Sequence, residues 1–215
     1  MSAPGAASPR RDWGEPRPTL VARLVSALRG LVRGPARPRP HSLQELPLRL
    51  QRGEFAAEYL GAERAGDHSR AGAASTAAME RAIADAEWWQ ADVWAHRALW
   101  HFERADLTLE AVRLARRIGD IRWAGGDPSS ARRYYAEAID EARDIGAEHE
   151  QGLAALGLGR AMLDLGDVTT ARRLGRAATE LLARSGAPAD ELALARSLQG
   201  TEKAIGEVRR EEEGA

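Results

Sequence analysis

The sequence contains no cysteine, only one lysine (Lys203), and no long apolar run. The lack of cysteine excludes disulfides, thiolate zinc sites and cysteine nucleophiles, and it is compatible with a reducing cytoplasm. No segment reaches the roughly 18 consecutive apolar residues needed to cross a bilayer. There is also no His-Glu-x-x-His motif, Walker-type loop or G-x-S-x-G elbow. We therefore expect a protein that is not an enzyme, with no catalytic residues and no cofactor.

Proline is scarce beyond Pro47: eight of the ten prolines lie at or before it, and the others, Pro128 and Pro188, stand at predicted helix starts. Residues 1–41 carry eight arginines against two acidic residues, a balance of +6. Because the whole chain carries −1, the remainder carries −7. This division predicts a flexible basic arm (1–41) followed by a helical-repeat domain (42–215). The acidic domain disfavours nucleic acid as a partner.

The arm contains the segment TLVARLVSALRGLVR, residues 19–33. At 100° per residue, Leu20, Leu24, Leu28 and Leu31 share one side, and Arg23 and Arg29 lie opposite. The pattern predicts a short basic amphipathic helix. It is compatible with docking on the neighbouring domain, with an anionic membrane surface or partner groove, or with a cleaved targeting segment.

Two stretches forty residues apart are nearly identical, GDPSSARR (126–133) and GDVTTARR (166–173). Glycine ends a helix at low conformational cost, and the aspartate next to it caps the following helix. A single helical hairpin cannot bury its apolar face, so such units must stack. Since no alternating strand pattern occurs, we predict an all-α fold, an α-solenoid of about four stacked antiparallel helical hairpins.

These residues resemble the tetratricopeptide-like helical repeats, in their longer variety of roughly forty residues. In the clearest unit the resemblance is carried by Ala155, Leu158, Gly159 and Met162, followed by the turn Gly166-Asp167, with Gly159 at the helix crossing. The preceding unit has Tyr135 where this one has Gly175, so a large side chain is missing there. The resemblance is good over 105–187 and loose over 43–104.

The spacing of the turns is uneven upstream. Gly66-Asp67, the degraded Ala105-Asp106, Gly126-Asp127 and Gly166-Asp167 follow one another at intervals of 39, 21 and 40 residues. We therefore expect the repeat to slip in phase once, so that 107–124 serves both as the partner of 88–104 and as the first helix of the next unit. Pro188 is expected to open a last, capping helix.

Five of the six tryptophans lie between 88 and 123, mostly in EWWQADVWAHRALWHF, residues 87–102. Large side chains on every face predict a helix that is enclosed by neighbours or faces a groove. The family resemblance implies that first helices line a concave face where ligands bind. Candidate partner contacts are Trp89, Trp94, Arg97, Trp100 and Arg104; alternatively, the rings only fill the region of the slip.

Charged and histidine side chains are interpreted structurally. Glu137, Asp140, Glu141 and Asp144 lie at helical spacing from Arg132, Arg133 and Arg143, which indicates a solvated face with ion pairs. His96 and His101 point about 140° apart on a helix. They are therefore poorly placed to share a metal ion, and we expect no metal site.

The sequence thus predicts a protein–protein interaction module, acting as a scaffold, adaptor or regulatory subunit. Its partner would be a peptide or helix segment of another protein, bound on the concave face. The alternative is a peripheral membrane adaptor anchored to an anionic surface by residues 19–33. We expect a cytoplasmic location, or a membrane-associated one under the alternative. The pattern specifies neither the partner's identity nor the oligomeric state.

Overall fold

The computed structural model describes residues 54–200. These residues belong to the second of the two units into which the chain divides, Arg39–Ala215. The predicted arm and its amphipathic helix lie outside the described residues. Residues 54–200 form eight helices and contain no strand: α1 Glu54–Ala65, α2 His68–Ala84, α3 Trp88–Arg104, α4 Thr108–Ala124, α5 Pro128–Asp144, α6 Glu148–Asp164, α7 Val168–Arg184, and α8, which spans 189–200.

Every helix is joined to the next by the same short turn. One residue in each turn has a positive φ, and these residues are twenty positions apart: Gly66, Ala86, Asp106, Gly126, Gly146, Gly166 and Gly186. The next amide N–H donates back to the preceding helix; Asp127 N lies 2.9 Å from Arg122 O. This closure reverses the chain within a few residues, so that consecutive helices are antiparallel.

The even spacing shows that the predicted phase slip is wrong. The left-handed residue of the α3–α4 turn is Asp106 rather than Ala105, and the forty-residue period continues through α2 and α3. We call α2, α4 and α6 the first helices and α3, α5 and α7 the second helices. The aromatic helix α3 is therefore a second helix, equivalent to α5 and α7.

The helices stack in chain order. Each packs on its successor, and the first helices α4 and α6 also contact each other. Small residues occupy the same repeat positions in the second helices and are fully buried: Ala91, Ala131 and Ala171, with Ala98, Ala138 and Ala178. Small side chains at the crossings allow the helix backbones to approach closely. The predicted all-α solenoid of stacked antiparallel hairpins is confirmed.

Tyr135 packs at a crossing where two neighbouring helices carry glycine. Its ring is buried between Gly119 of α4 and Gly157 of α6; a Cβ at Gly119 would lie 2.7 Å from the ring. The Tyr135 hydroxyl donates to Asp120 Oδ1 at 2.8 Å. Burial raises the pKa of Tyr135 far above its ordinary 10.0, and the Asp120 carboxylate raises it further.

At the equivalent position of α7, Gly175 has no side chain, and α8 fills the space instead. A Cβ at Gly175 would lie 2.9 Å from Leu198 Cβ and 3.1 Å from Ala195 O. The missing large side chain is therefore explained by the closer approach of the last helix.

Candidate functional site

The aromatic helix α3 is largely enclosed. Trp94, Arg97 and Trp100 are 5%, 1% and 7% exposed, whereas Trp89 is 50% exposed and Arg104 is also exposed. Three of the five predicted partner contacts thus lie in the interior. Arg97 lies against Trp94, with 5.9 Å from its guanidinium carbon to the ring centroid, and Arg104 stacks on Trp100 at 4.3 Å.

A polar cavity of about 350 Å³ lies beside the second half of α3; its lining includes Glu63, Trp100 and Arg104. His68 and His101 also line it, and their Nδ1 atoms are 2.9 Å apart. In this contact one nitrogen donates and the other accepts.

The other histidine of α3, His96, has different partners. Its Nδ1 lies 2.8 Å from Asp92 O, and its Nε2 lies 2.8 Å from the Tyr134 hydroxyl. His96 and His101 therefore contact separate sets of residues. Within residues 54–200, no group of three or more His, Asp or Glu side chains is arranged to hold a metal ion.

The first helices carry charges that neutralise one another. Glu150 of α6 is nearly buried and accepts from Arg113 Nε at 3.0 Å and from Arg116 Nε at 3.1 Å, both on α4. Arg117 of α4 contacts Glu80 of α2 at 2.8 Å. These ion pairs join successive first helices.

The second helices are different, because α5 and α7 are separated by an open groove. The groove has a volume of about 490 Å³ and a mostly apolar lining. Leu158 and Met162 of α6 form its floor, and Leu174 of α7 forms one wall. Three exposed arginines form its rim: Arg132, Arg133 and Arg173. No ion pair among residues 54–200 involves any of the three.

The interface one repeat earlier, between α3 and α5, shows why the groove is open. There the pair His96–Tyr134 joins the two second helices across the equivalent space, at 2.8 Å. Forty residues later, the equivalent residues are Ala136 and Leu174, which are smaller and form no hydrogen bond. The groove therefore occupies space that larger side chains fill in the preceding repeat.

A second difference between the two repeats leaves the groove floor without a charged side chain. In the earlier interface, Arg122 donates to Asp92 Oδ2 at 2.7 Å. The equivalents forty residues on are Met162 and Arg132. The groove floor therefore has Met162 where the earlier interface has Arg122, and the rim has Arg132 where the earlier interface has the carboxylate of Asp92.

The groove is not among the features that the sequence predicts. Arg132 and Arg133 were expected to belong to an ion-paired face, and for these two residues that prediction is wrong; Arg143 does pair with Asp140, at 2.9 Å. Two differences at forty-residue spacing indicate the groove: His96 is replaced by Ala136, and Tyr134 by Leu174. These differences can be recognised only when the repeats are aligned in the correct register, and the predicted phase slip gives a different alignment.

A scan against protein-family models and a search of curated proteins found no match to this chain. In the described part of the chain, no helix combines the length and apolar character required to span a membrane.

Proposed function

We propose that this chain is a non-catalytic protein-interaction module of the tetratricopeptide-like kind, which binds a peptide or helix segment of another protein. The groove between α5 and α7 is the observation that carries this proposal. It combines an apolar floor with a charged rim, and it has a volume of about 490 Å³. An apolar floor supplies affinity, and rim charges supply specificity.

In this proposal the partner binds between α5 and α7 rather than around α3. Trp94, Arg97 and Trp100 already make interior contacts, so their side chains offer little surface to a partner. On the first helices, Arg116 is already paired with Glu150 and Arg117 with Glu80. Partner contacts through Trp89 and Arg104, which are exposed, stay a prediction.

Selection of random twelve-residue peptides displayed on phage, with the full chain as bait, tests the proposed function. Ala136 is exposed on α5 and lines the groove, so Ala136→Tyr should fill the groove without disturbing the core. We expect selected peptides to bind the parent chain and to lose at least about tenfold in affinity against this variant.

Ala73→Tyr is the matched control, because Ala73 is an exposed helical alanine on the first helix α2. It should leave peptide affinity unchanged. The proposed function fails if no peptide is selected, and the groove assignment fails if Ala73→Tyr weakens binding while Ala136→Tyr does not.

The alternative function, membrane anchoring by residues 19–33, concerns residues outside those described and stays a prediction. Co-sedimentation of the full chain with anionic vesicles tests it, with neutral vesicles as the control.

A further inference from the structure

We infer that the segment bound between α5 and α7 is acidic and inserts one bulky apolar side chain. This inference rests on the proposed function and specifies the chemistry of the partner. It follows from what the preceding repeat places in the equivalent space and what this groove lacks.

The charge of the rim requires an acidic occupant. Arg132, Arg133 and Arg173 surround the groove, and no carboxylate lines it. In the preceding repeat the equivalent space contains one arginine, Arg122, and its charge is paired with Asp92 at 2.7 Å. A bound segment that carries Asp or Glu would supply the missing carboxylates, and guanidinium groups bind carboxylates through paired hydrogen bonds.

The shape of the floor requires a bulky apolar side chain. Where the preceding repeat has an imidazole and a phenol ring, this groove has the methyl of Ala136 and the isobutyl group of Leu174. The space left above Leu158 and Met162 suits a Trp, Phe or Leu side chain from the partner. Methionine adapts its shape to such a group and makes favourable sulfur–aromatic contacts.

Other occupants would match either the charged rim or the apolar floor of the groove, but not both. Inorganic phosphate or a nucleic-acid backbone would pair with the arginines but would leave the apolar floor in contact with water. A neutral apolar peptide would cover the floor but would bring no carboxylate to the three guanidinium groups at its edge. An acidic segment with an apolar anchor satisfies both features.

The composition of the phage-selected peptides tests this inference separately from the proposed function. Among peptides that Ala136→Tyr weakens, we expect enrichment of Asp and Glu around a Trp, Phe or Leu. Synthetic versions with every Asp and Glu replaced by Asn and Gln should lose at least about tenfold in affinity. Groove-dependent peptides that are neutral or basic would overturn the inference and leave the proposed function standing.

Charge reversal in the protein provides the complementary test. Arg133→Glu and Arg173→Glu should each weaken the acidic peptides at least about fivefold at low salt, and less at high salt because salt screens exposed charges. Arg143→Glu is the matched control, since Arg143 is an exposed arginine on the same helix as Arg133 and pairs with Asp140. Equal loss for Arg143→Glu would show a general charge effect and would overturn the inference.

Two further outcomes would assign the groove to another occupant. Displacement of the acidic peptides by millimolar inorganic phosphate alone would show a simple anion site. Self-association of the full chain that Arg133→Glu and Arg173→Glu abolish, measured by sedimentation, would show that a second copy occupies the groove. Either outcome would overturn the assignment to an acidic partner segment.

Discussion

Replacing Gly157 with alanine tests the packing on which the stack depends. A Cβ at Gly157 would lie 2.6 Å from Tyr135 Cζ, about 1 Å closer than the 3.5–4.0 Å of an ordinary carbon contact. The ring cannot simply move away, because Gly119 contacts it from α4 and the hydroxyl is held by Asp120. Forcing an extra methyl into such a site costs about 1–3 kcal/mol, and the confinement of the ring favours the upper part of that range.

Alanine also stabilises a helix by about 1 kcal/mol relative to glycine, which offsets part of this cost. We therefore expect Gly157→Ala to lower the free energy of unfolding by about 1–2 kcal/mol. For about 150 residues this corresponds to a fall in Tm of roughly 2–8 °C. Urea unfolding followed by circular dichroism measures the free energy directly.

Gly61→Ala is the matched control, because Gly61 is an exposed glycine within α1 and a Cβ there would meet nothing within 4 Å. It should raise stability by about 0.5–1 kcal/mol. In a Tyr135→Leu background, where the ring is absent, Gly157→Ala should lose most of its cost. Two results would refute a clash between the Gly157→Ala methyl group and the Tyr135 ring. One is that Gly157→Ala stabilises the chain as Gly61→Ala does. The other is that it lowers the free energy of unfolding equally with and without the ring.

Three further predictions concern turns, charges and pH. Ala86 has a φ of 56°, so Ala86→Gly should raise stability by about 0.5–1 kcal/mol in thermal unfolding, whereas Ala73→Gly in a helix should lower it by about 1 kcal/mol. Glu150→Ala removes the carboxylate between two arginines and should cost about 1–3 kcal/mol by urea unfolding, with Glu150→Gln costing less. In the folded state the pKa of Tyr135 is higher than its unfolded value of 10.0, so the folded protein keeps this proton at a higher pH. Its contribution to the free energy of unfolding is therefore complete below about pH 10 and decreases as the pH rises further. Tyr135→Phe should make this alkaline decrease in stability shallower. Each is contradicted by a change of the opposite sign, or for Tyr135→Phe by an unchanged alkaline slope.

The fold was predictable because its repeat is visible in local chemistry. Gly126-Asp127 and Gly166-Asp167 combine a left-handed residue with a helix cap, and the caps form as expected: Asp127 accepts from Ser130 N and Asp167 from Thr170 N, both at 2.9 Å. Hydrogen bonds from the side chain and backbone amide of Ser130 lower the pKa of Asp127, and those from the backbone amide and side chain of Thr170 lower the pKa of Asp167. Such signals are contained within a few residues, so they can be recognised without coordinates.

The register and the groove were not predictable in the same way. Asp106 adopts a left-handed backbone conformation that glycine usually adopts. The left-handed residue of that turn was therefore predicted one position too early, at Ala105. The groove depends on two side chains that are smaller than their equivalents one repeat earlier, Ala136 and Leu174. A missing side chain becomes informative only when the helices that face it are known.

The most direct test of the groove uses the methionine methyl groups as reporters. The chain has three methionines; Met162 lines the groove, and Met79 is buried elsewhere, at 1% exposure. With methyl-¹³C-methionine in the full chain, a selected peptide should shift the Met162 methyl signal and leave that of Met79 in place. A peptide that binds while the Met162 signal does not move would contradict the account.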